Sequence, residues 1–147
     1  MIETGVMQVL LTVPEIVSRI SAPGIGNRIF LNRIKQGLAI AGGTIVVTNI
    51  SEEHDYGLAA EALTQFTTLQ IDCYDEKPGD AHTLAELVKL KLAGDPNTPC
   101  FNGLAGTSGH NIESVQLAGG RTEFEKPKDG GDDWRPRRSR DYRIHHS

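Results

Sequence analysis

Apolar residues near the start of the chain recur at helical spacing. Between Glu3 and Ile20 they are separated mainly by three or four positions, which predicts a helix with one buried stripe. Pro14 lies inside this segment and lacks the backbone N–H that a helix interior needs. It therefore either kinks one helix or begins a second one. The next segment, Ser21–Asn27, is rich in Pro and Gly and is expected to be a loop.

Three segments in the middle of the chain have the composition of strands. Arg28–Ile34 is short and apolar, and Ala41–Ile50 contains a β-branched run that is poor helix material. Apolar and polar residues alternate toward the end of Leu63–Tyr74, which predicts a strand with one buried face. The polar segment SEEHDYGLAA, starting at Ser51, is expected to be a connecting loop or a hairpin corner.

A second helix is predicted directly after the third strand. Asp80 is expected to be its N-cap, because its carboxylate can accept hydrogen bonds from the N–H groups of the first turn. The helix then extends from Ala81 to about Ala93, and Gly94 occupies the position of a C-terminal cap. The apolar residues at helical spacing, which should be buried, are Leu84, Leu87, Val88 and Leu92.

The last third of the chain predicts further strands. Asp95–Asn111 is a long loop by its Gly, Pro and Asn content, and its glycine-rich end lacks the lysine of a phosphate-binding loop. Ile112–Glu125 predicts a strand pair or one bent strand, interrupted at Gly119 and Gly120, and Arg138–His145 predicts a final strand. Only the link through the second helix is long enough for a parallel crossover. We therefore predict an α+β fold: a mostly antiparallel sheet, packed on one face by two helices, in a single domain of residues 1–147.

Composition limits the class of protein. A chain of 147 residues is the size of one ordinary domain, and with only 5% aromatic residues its core should be mostly aliphatic. Two cysteines, in no CxxC pair, make a disulfide scaffold or a structural zinc site unexpected. There is no run of about 18 apolar residues and no signal-peptide pattern, so we expect a protein without a membrane span. No cofactor motif is present in the sequence.

The thiol of Cys73 is the most obvious candidate for chemistry. His82 follows it, so a thiol nucleophile with a histidine base is one hypothesis. Acidic neighbours would raise the pKa of this thiol, however, and Cys73 is in phase with Leu69 and Ile71 on the apolar face of its strand. We therefore interpret Cys73 as a core residue. A small hydrolase using Cys73 remains an alternative function.

Charged residues cluster in two places. Glu52, Glu53, His54 and Asp55 have the residue types of a metal site, but neighbours in one loop rarely converge on one ion, so a solvated loop is expected. Five arginines between Arg135 and Arg143 face a single acid, which leaves a nucleic-acid-binding module as a second alternative. The simpler interpretation is a charged strand and turn whose alternate members face solvent, or a surface for an acidic partner. The candidate interface residues are Glu52, Glu53, Asp55, Trp134, Arg135, Arg137, Arg138 and Arg140.

Several segments together resemble the tail completion proteins of long-tailed bacteriophages. In chain order they are GNRIFLNRIKQG, TIVVTNIS, LQIDCYDEKPGDAHTLAELVKLKLAG and SRDYRIHH, and their order and spacing match from about Gly26 to His146. The sequence departs from the family at Lys35, where members often have Pro, and in a longer glycine-rich loop at Asn97–Asn111.

The resemblance implies a structural virion protein rather than an enzyme. Such proteins are similar to tail terminators, which form a ring, commonly six-fold, on the last layer of the tail tube and provide the surface for joining tail to head. The implied partners are other copies of the chain, the major tail (tube) protein and the head–tail connector protein, with no cofactor, no membrane and no sequence-specific nucleic acid. The implied location is the head–tail junction of a virion assembled in the host bacterial cytoplasm.

The resemblance also suggests how the subunits meet. A ring needs a head-to-tail interface that closes by rotation. We expect the loops Ser51–Leu58 and Lys126–Trp134 to face neighbouring subunits or the tube. The acidic loop and the basic Arg135–Arg143 segment are then expected to pair between subunits, which gives orientation more than affinity.

Overall fold

The computed structural model of the protein describes residues 1–22, 26–32, 42–54, 65–125 and 135–147. Within them the chain forms three α-helices, which are α1 (Ile2–Leu10), α2 (Pro14–Ile20) and α3 (Pro78–Leu92). The strands are β1 (Ser21–Ala22), β2 (Gly26–Asn27), β3 (Ile29–Leu31), β4 (Thr44–His54), β5 (Gln65–Tyr74), β6 (Gly103–Leu104), β7 (Asn111–Glu125) and β8 (Arg135–His146).

Pro14 separates the first two helices. Val13 before it is extended, with φ −92° and ψ 110°, and Pro14 takes the first helical position, where its missing N–H costs no hydrogen bond. Of the two alternatives that the sequence left open, a second helix is therefore the observed one. The single N-terminal helix of the predicted fold is two short helices.

The start of α3 differs from the prediction. Lys77 is the N-cap residue and Pro78 opens the helix, so Asp80 lies inside the first turn and is not the N-cap. Proline fixes φ at a helical value and tolerates this position, which lets the helix begin earlier than the sequence indicated. At the other end Gly94 adopts φ +73°, as expected for the glycine that ends a helix.

Six strands form the main sheet, in the order β3-β4-β5-β8-β7-β6. Every neighbouring pair is antiparallel except β3 with β4, so the predicted α+β class with a mostly antiparallel sheet is confirmed. The link through α3 leads from β5 to β6, and these two strands run in opposite directions, because β5/β8, β8/β7 and β7/β6 are all antiparallel pairs. The expectation that this was the one place for parallel strands is wrong, because β3 and β4 are parallel neighbours without an intervening helix among the described residues.

Strand β4 is longer than predicted. Ser51–His54 pairs with Gln65–Thr68 of β5 after a bulge that follows Asn49, so the described part of the polar segment is strand and not loop. Strand β7 is one long strand with two bulges, as one of the two predicted alternatives had it. The glycine-rich stretch before it is fastened to α1, because the backbone N–H of Thr107 donates to the side chain of Gln8 at 2.6 Å.

The core lies between the helices and one face of the sheet. It is mainly aliphatic, as the low aromatic content predicted, and Tyr142 is its largest fully buried side chain. Cys73 is part of this core. The largest fully buried aliphatic side chains of the helices are Leu10, Ile16, Ile20, Leu84 and Leu92, and those of the sheet are Ile45, Leu69, Ile71, Ile112 and Ile144.

Candidate assembly surface

Arg140, one of the predicted interface residues, is turned into the molecule. Its side chain is 7% exposed, and its guanidinium lies 2.5 Å from Glu86 and donates to the backbone carbonyl of Ala85 at 3.2 Å. The hydrogen bond from Arg140 is the main reason why the pKa of Glu86 is lowered. Arg140 therefore fastens β8 to α3, and its charge is neutralised within one chain.

A second basic residue finds its acidic partner within the same chain. Arg143 on β8 donates to Glu53 on β4 at 3.1 Å, and both side chains are exposed. Phe66 on the intervening β5 lies beneath this pair, with its ring centre 4.3 Å from the Arg143 guanidinium carbon. The acidic and basic segments that the sequence singled out thus meet through Glu53 and Arg143, within one chain.

The same face of the sheet continues with a stacked histidine. The rings of Phe66 and His145 lie 4.4 Å apart and nearly parallel, and His145 also lies 3.1 Å from the carboxylate of Glu113 on β7. We name Glu53, Phe66, Glu113, Arg143 and His145 the charged cluster. It lies opposite the helices, because its β8 members alternate with core residues of that strand.

The sequence contained a usable signal for part of this cluster. Tyr142 and Ile144 are apolar and therefore point to the core, so Arg143 and His145 must share the other face. The cross-strand neighbours Phe66 and Glu113 could not be found this way, because strand register is not visible in one sequence.

The remaining candidate interface residues do not form one surface patch among the described residues. Arg137 and Arg138 are half-buried on β8, where they pair in register with Tyr74 and Cys73 of β5. Glu52 is exposed, and its carboxylate accepts a hydrogen bond from Asn49 at 2.9 Å. Arg135 is the first residue of β8 and pairs in register with Glu125, the last residue of β7. Asp55 and Trp134 lie outside the described residues.

Cys73 has the environment of a structural residue. It is 1% exposed, and burial, reinforced by the nearby Asp72 carboxylate, raises the pKa of its thiol far above the ordinary range. His82 is exposed on α3, where its ring lies 3.8 Å from Glu86. The interpretation of Cys73 as a core residue is confirmed, and its thiol lacks the activation that a nucleophile needs.

The described residues contain neither a metal-binding cluster nor a membrane-spanning helix. Within the described ranges, no three His, Cys, Asp or Glu side chains are grouped so that they could hold a metal ion. In the same part of the chain, no helix is both long and apolar enough to cross a bilayer. Several described polar side chains of the sheet interact with one another, as Gln70 does with Asp72 at 3.0 Å.

These features define a small α+β domain with a charged cluster on the face of its sheet opposite the helices. No protein-family model matches the chain, and no curated protein matches it either. A chain in the solved structure "Virion of native gene transfer agent (GTA) particle" is similar in fold, with a TM-score of 0.54. The match covers 97% of this chain and 92% of that chain at 11% sequence identity, so the likeness concerns the fold.

Proposed function

We propose that this protein is a structural virion protein of a long-tailed phage or prophage. More specifically, it is the tail completion or terminator subunit, which caps the tail tube and helps to join tail and head. The observation that carries the proposal is the fold likeness to a chain of a gene transfer agent virion, which extends over nearly the whole of both chains. The sequence resemblance to tail completion proteins adds support, because it rests on segments spread over the same length.

The alternatives are less well supported by the geometry. A thiol hydrolase needs an accessible thiolate, whereas Cys73 is in the core and its pKa is raised. A nucleic-acid-binding surface needs arginines that can reach phosphates. Arg140 is instead paired with Glu86 inside the molecule, and Arg143 is paired with Glu53.

A genetic experiment tests the proposed function directly. The gene is deleted in the genome that carries it, particle production is induced, and the products are examined by electron microscopy. We expect heads separated from tails and tails of irregular length, because the subunit that stops tube growth and forms the docking surface is missing. Particles with joined tails of normal length would contradict the proposal, and so would a genome that makes no tailed particles.

Charge reversal tests whether the basic segment orients the subunits. With Arg137→Glu and Arg138→Glu combined, we expect smaller oligomers and assembly that is more sensitive to salt. Light scattering measures oligomer size, and circular dichroism verifies that the half-buried positions tolerate the change. An unchanged oligomer size in a folded variant would refute the pairing of this segment with a neighbour.

A further inference from the structure

One edge of the six-stranded sheet is formed by the long strand β7, which the short strand β6 covers only in part. Strand β6 pairs with β7 only at Asn111 and Ile112. From Glu113 to Glu125, β7 pairs with β8 on one side, and no other strand of the described chain lies on its outer side. An open edge of this length presents a row of backbone donors and acceptors to any strand that approaches it.

The middle of this edge has a bulge between Leu117 and Gly119, but it lacks the charges and prolines that usually protect an edge strand. Gln116–Gly120 contains no charge or proline and is exposed throughout, and Leu117 is 41% exposed. A side chain at Gly119 would meet nothing within 4 Å, and its φ lies outside the left-handed region, so neither packing nor conformation within the chain requires glycine there. Glycine in a strand is typical of bulges, such as the one at Leu117 and Gly119, and also of positions where another backbone can approach closely.

The opposite edge of the same sheet is similarly uncharged. Strand β3 contributes Ile29, Phe30 and Leu31, all half-buried, and in the described chain it pairs only with β4. Arg28 precedes them, but its guanidinium donates inward to the carbonyls of Gly43 and Arg19 at 2.8 and 3.2 Å. One chain therefore has two uncharged edges with apolar side chains, and each could pair with the other on a second copy.

The strand directions fit such a contact. Strand β3 is parallel to β4, and the next three pairs across the sheet, β4/β5, β5/β8 and β8/β7, are antiparallel. Strand β7 therefore runs opposite to β3. If copies are related by rotation about an axis along the strands, the β3 of one copy reaches β7 of the next in antiparallel orientation. Antiparallel pairing is the slightly more stable kind and continues the order of the sheet.

We propose that the β7 edge at Gln116–Gly120 binds β3 (Ile29–Leu31) of a second copy, so that the sheet continues from one subunit to the next. This deepens the proposed function, on which it rests, because it gives the ring a head-to-tail contact. The contact is heterologous, since different edges meet, and repetition of it around an axis closes a ring. The charged cluster takes no part in it, because its members already contact one another within each chain.

Engineered disulfides test which edges meet. Cysteine is introduced at Leu31 and at Ala118, separately and together, in a Cys100→Ser background, and the proteins are oxidised. Disulfides form only between residues whose Cα atoms lie about 4.4–6.8 Å apart, so Gln116 and Leu117 are tested as alternative positions for the second cysteine. We expect a ladder of covalent oligomers from a double variant and none from the single variants. Dimers formed by Ala118→Cys alone would indicate that two β7 edges pair and would overturn the proposal.

A matched pair of surface variants provides the second test. Leu117→Lys puts a charge on the proposed edge, whereas Leu90→Lys makes the same change on α3, at a side chain of nearly equal exposure, 43%. We expect loss of oligomers, measured by light scattering, only for Leu117→Lys. Oligomers that persist in Leu117→Lys, or a wild-type chain that stays monomeric at high concentration, would refute the edge contact. Neither result bears on the deletion phenotype, which tests the proposed function separately.

Discussion

The contact between α1 and the glycine-rich stretch before β7 makes Gly5 a sharp test of the packing. A Cβ atom at Gly5 would lie 2.6 Å from the carbonyl oxygen of Ala105 and 2.6 Å from the hydroxyl of Ser108. The carbonyl belongs to backbone, so it cannot turn away as a flexible side chain would. Gly5→Ala therefore forces α1 and this stretch apart, although alanine is the better helix former.

The size of the effect follows from two opposing contributions. Replacing glycine by alanine inside a helix stabilises a protein by about 0.5–1 kcal/mol. Inserting a methyl group into a well-packed contact costs about 1–3 kcal/mol, and the loss is at the upper end where backbone must shift. We expect Gly5→Ala to lower the free energy of unfolding by about 2 kcal/mol, the difference between these two contributions. For a chain of this length each kcal/mol corresponds to about 2–4 °C in Tm.

Gly79→Ala is the matched control. Gly79 is also helical, in the first turn of α3, but a Cβ atom there would meet nothing within 4 Å. This variant should be as stable as wild type or more stable by up to about 1 kcal/mol. Urea unfolding followed by far-ultraviolet circular dichroism measures both variants. A Gly5→Ala protein as stable as Gly79→Ala would refute the close approach of α1 to Ala105.

Three further predictions concern buried groups. In the native protein a thiol reagent should modify the half-buried Cys100 and leave Cys73 unmodified, whereas both should react in denaturant. Burial lowers the pKa of His146 from its ordinary 6.5, so the free energy of unfolding should be highest above pH 6.5 and fall as the pH drops below it. Melting temperatures measured as a function of pH test this expectation. His146→Asn should make the melting temperature less dependent on pH. Glu86→Gln should lower the free energy of unfolding by about 1–2 kcal/mol in urea titrations, because it weakens the partner of the buried Arg140 charge.

How much of the fold the sequence predicted depends on how much of each element is buried. Strand β5 was found because Leu69, Ile71 and Cys73 alternate with other residues and are buried, although Asp72 and Tyr74 on its other face are buried as well. Helix α3 was found because its apolar stripe faces the sheet. The end of β4 was missed because Ser51–Glu53 is exposed, so its polar residues resemble a loop. The parallel pairing of β3 with β4 was missed because strand order is set by contacts distant in sequence, which spacing alone does not encode.

The arginines of β8 show the same limit for the candidate surface. Their sequence clustering predicted a basic patch, but a strand sends alternate residues to opposite faces. Arg140 shares the parity of Tyr142 and Ile144, so it points to the helices, where Glu86 compensates its charge. That parity was available in the sequence. The partner on α3 was not, because the distance between Glu86 and Arg140 depends on how α3 crosses the sheet.

This arrangement bears on where the energy of assembly comes from. Exposed ion pairs contribute about 0–1 kcal/mol each, and Arg143 already has such a partner in Glu53. Exchanging that partner for one on a neighbour would gain almost nothing, because one pair breaks for each pair that forms. Backbone pairing at the β7 edge breaks no contact within the described chain, and it also covers the exposed Leu117. In the proposed assembly the edges are therefore the more effective source of affinity.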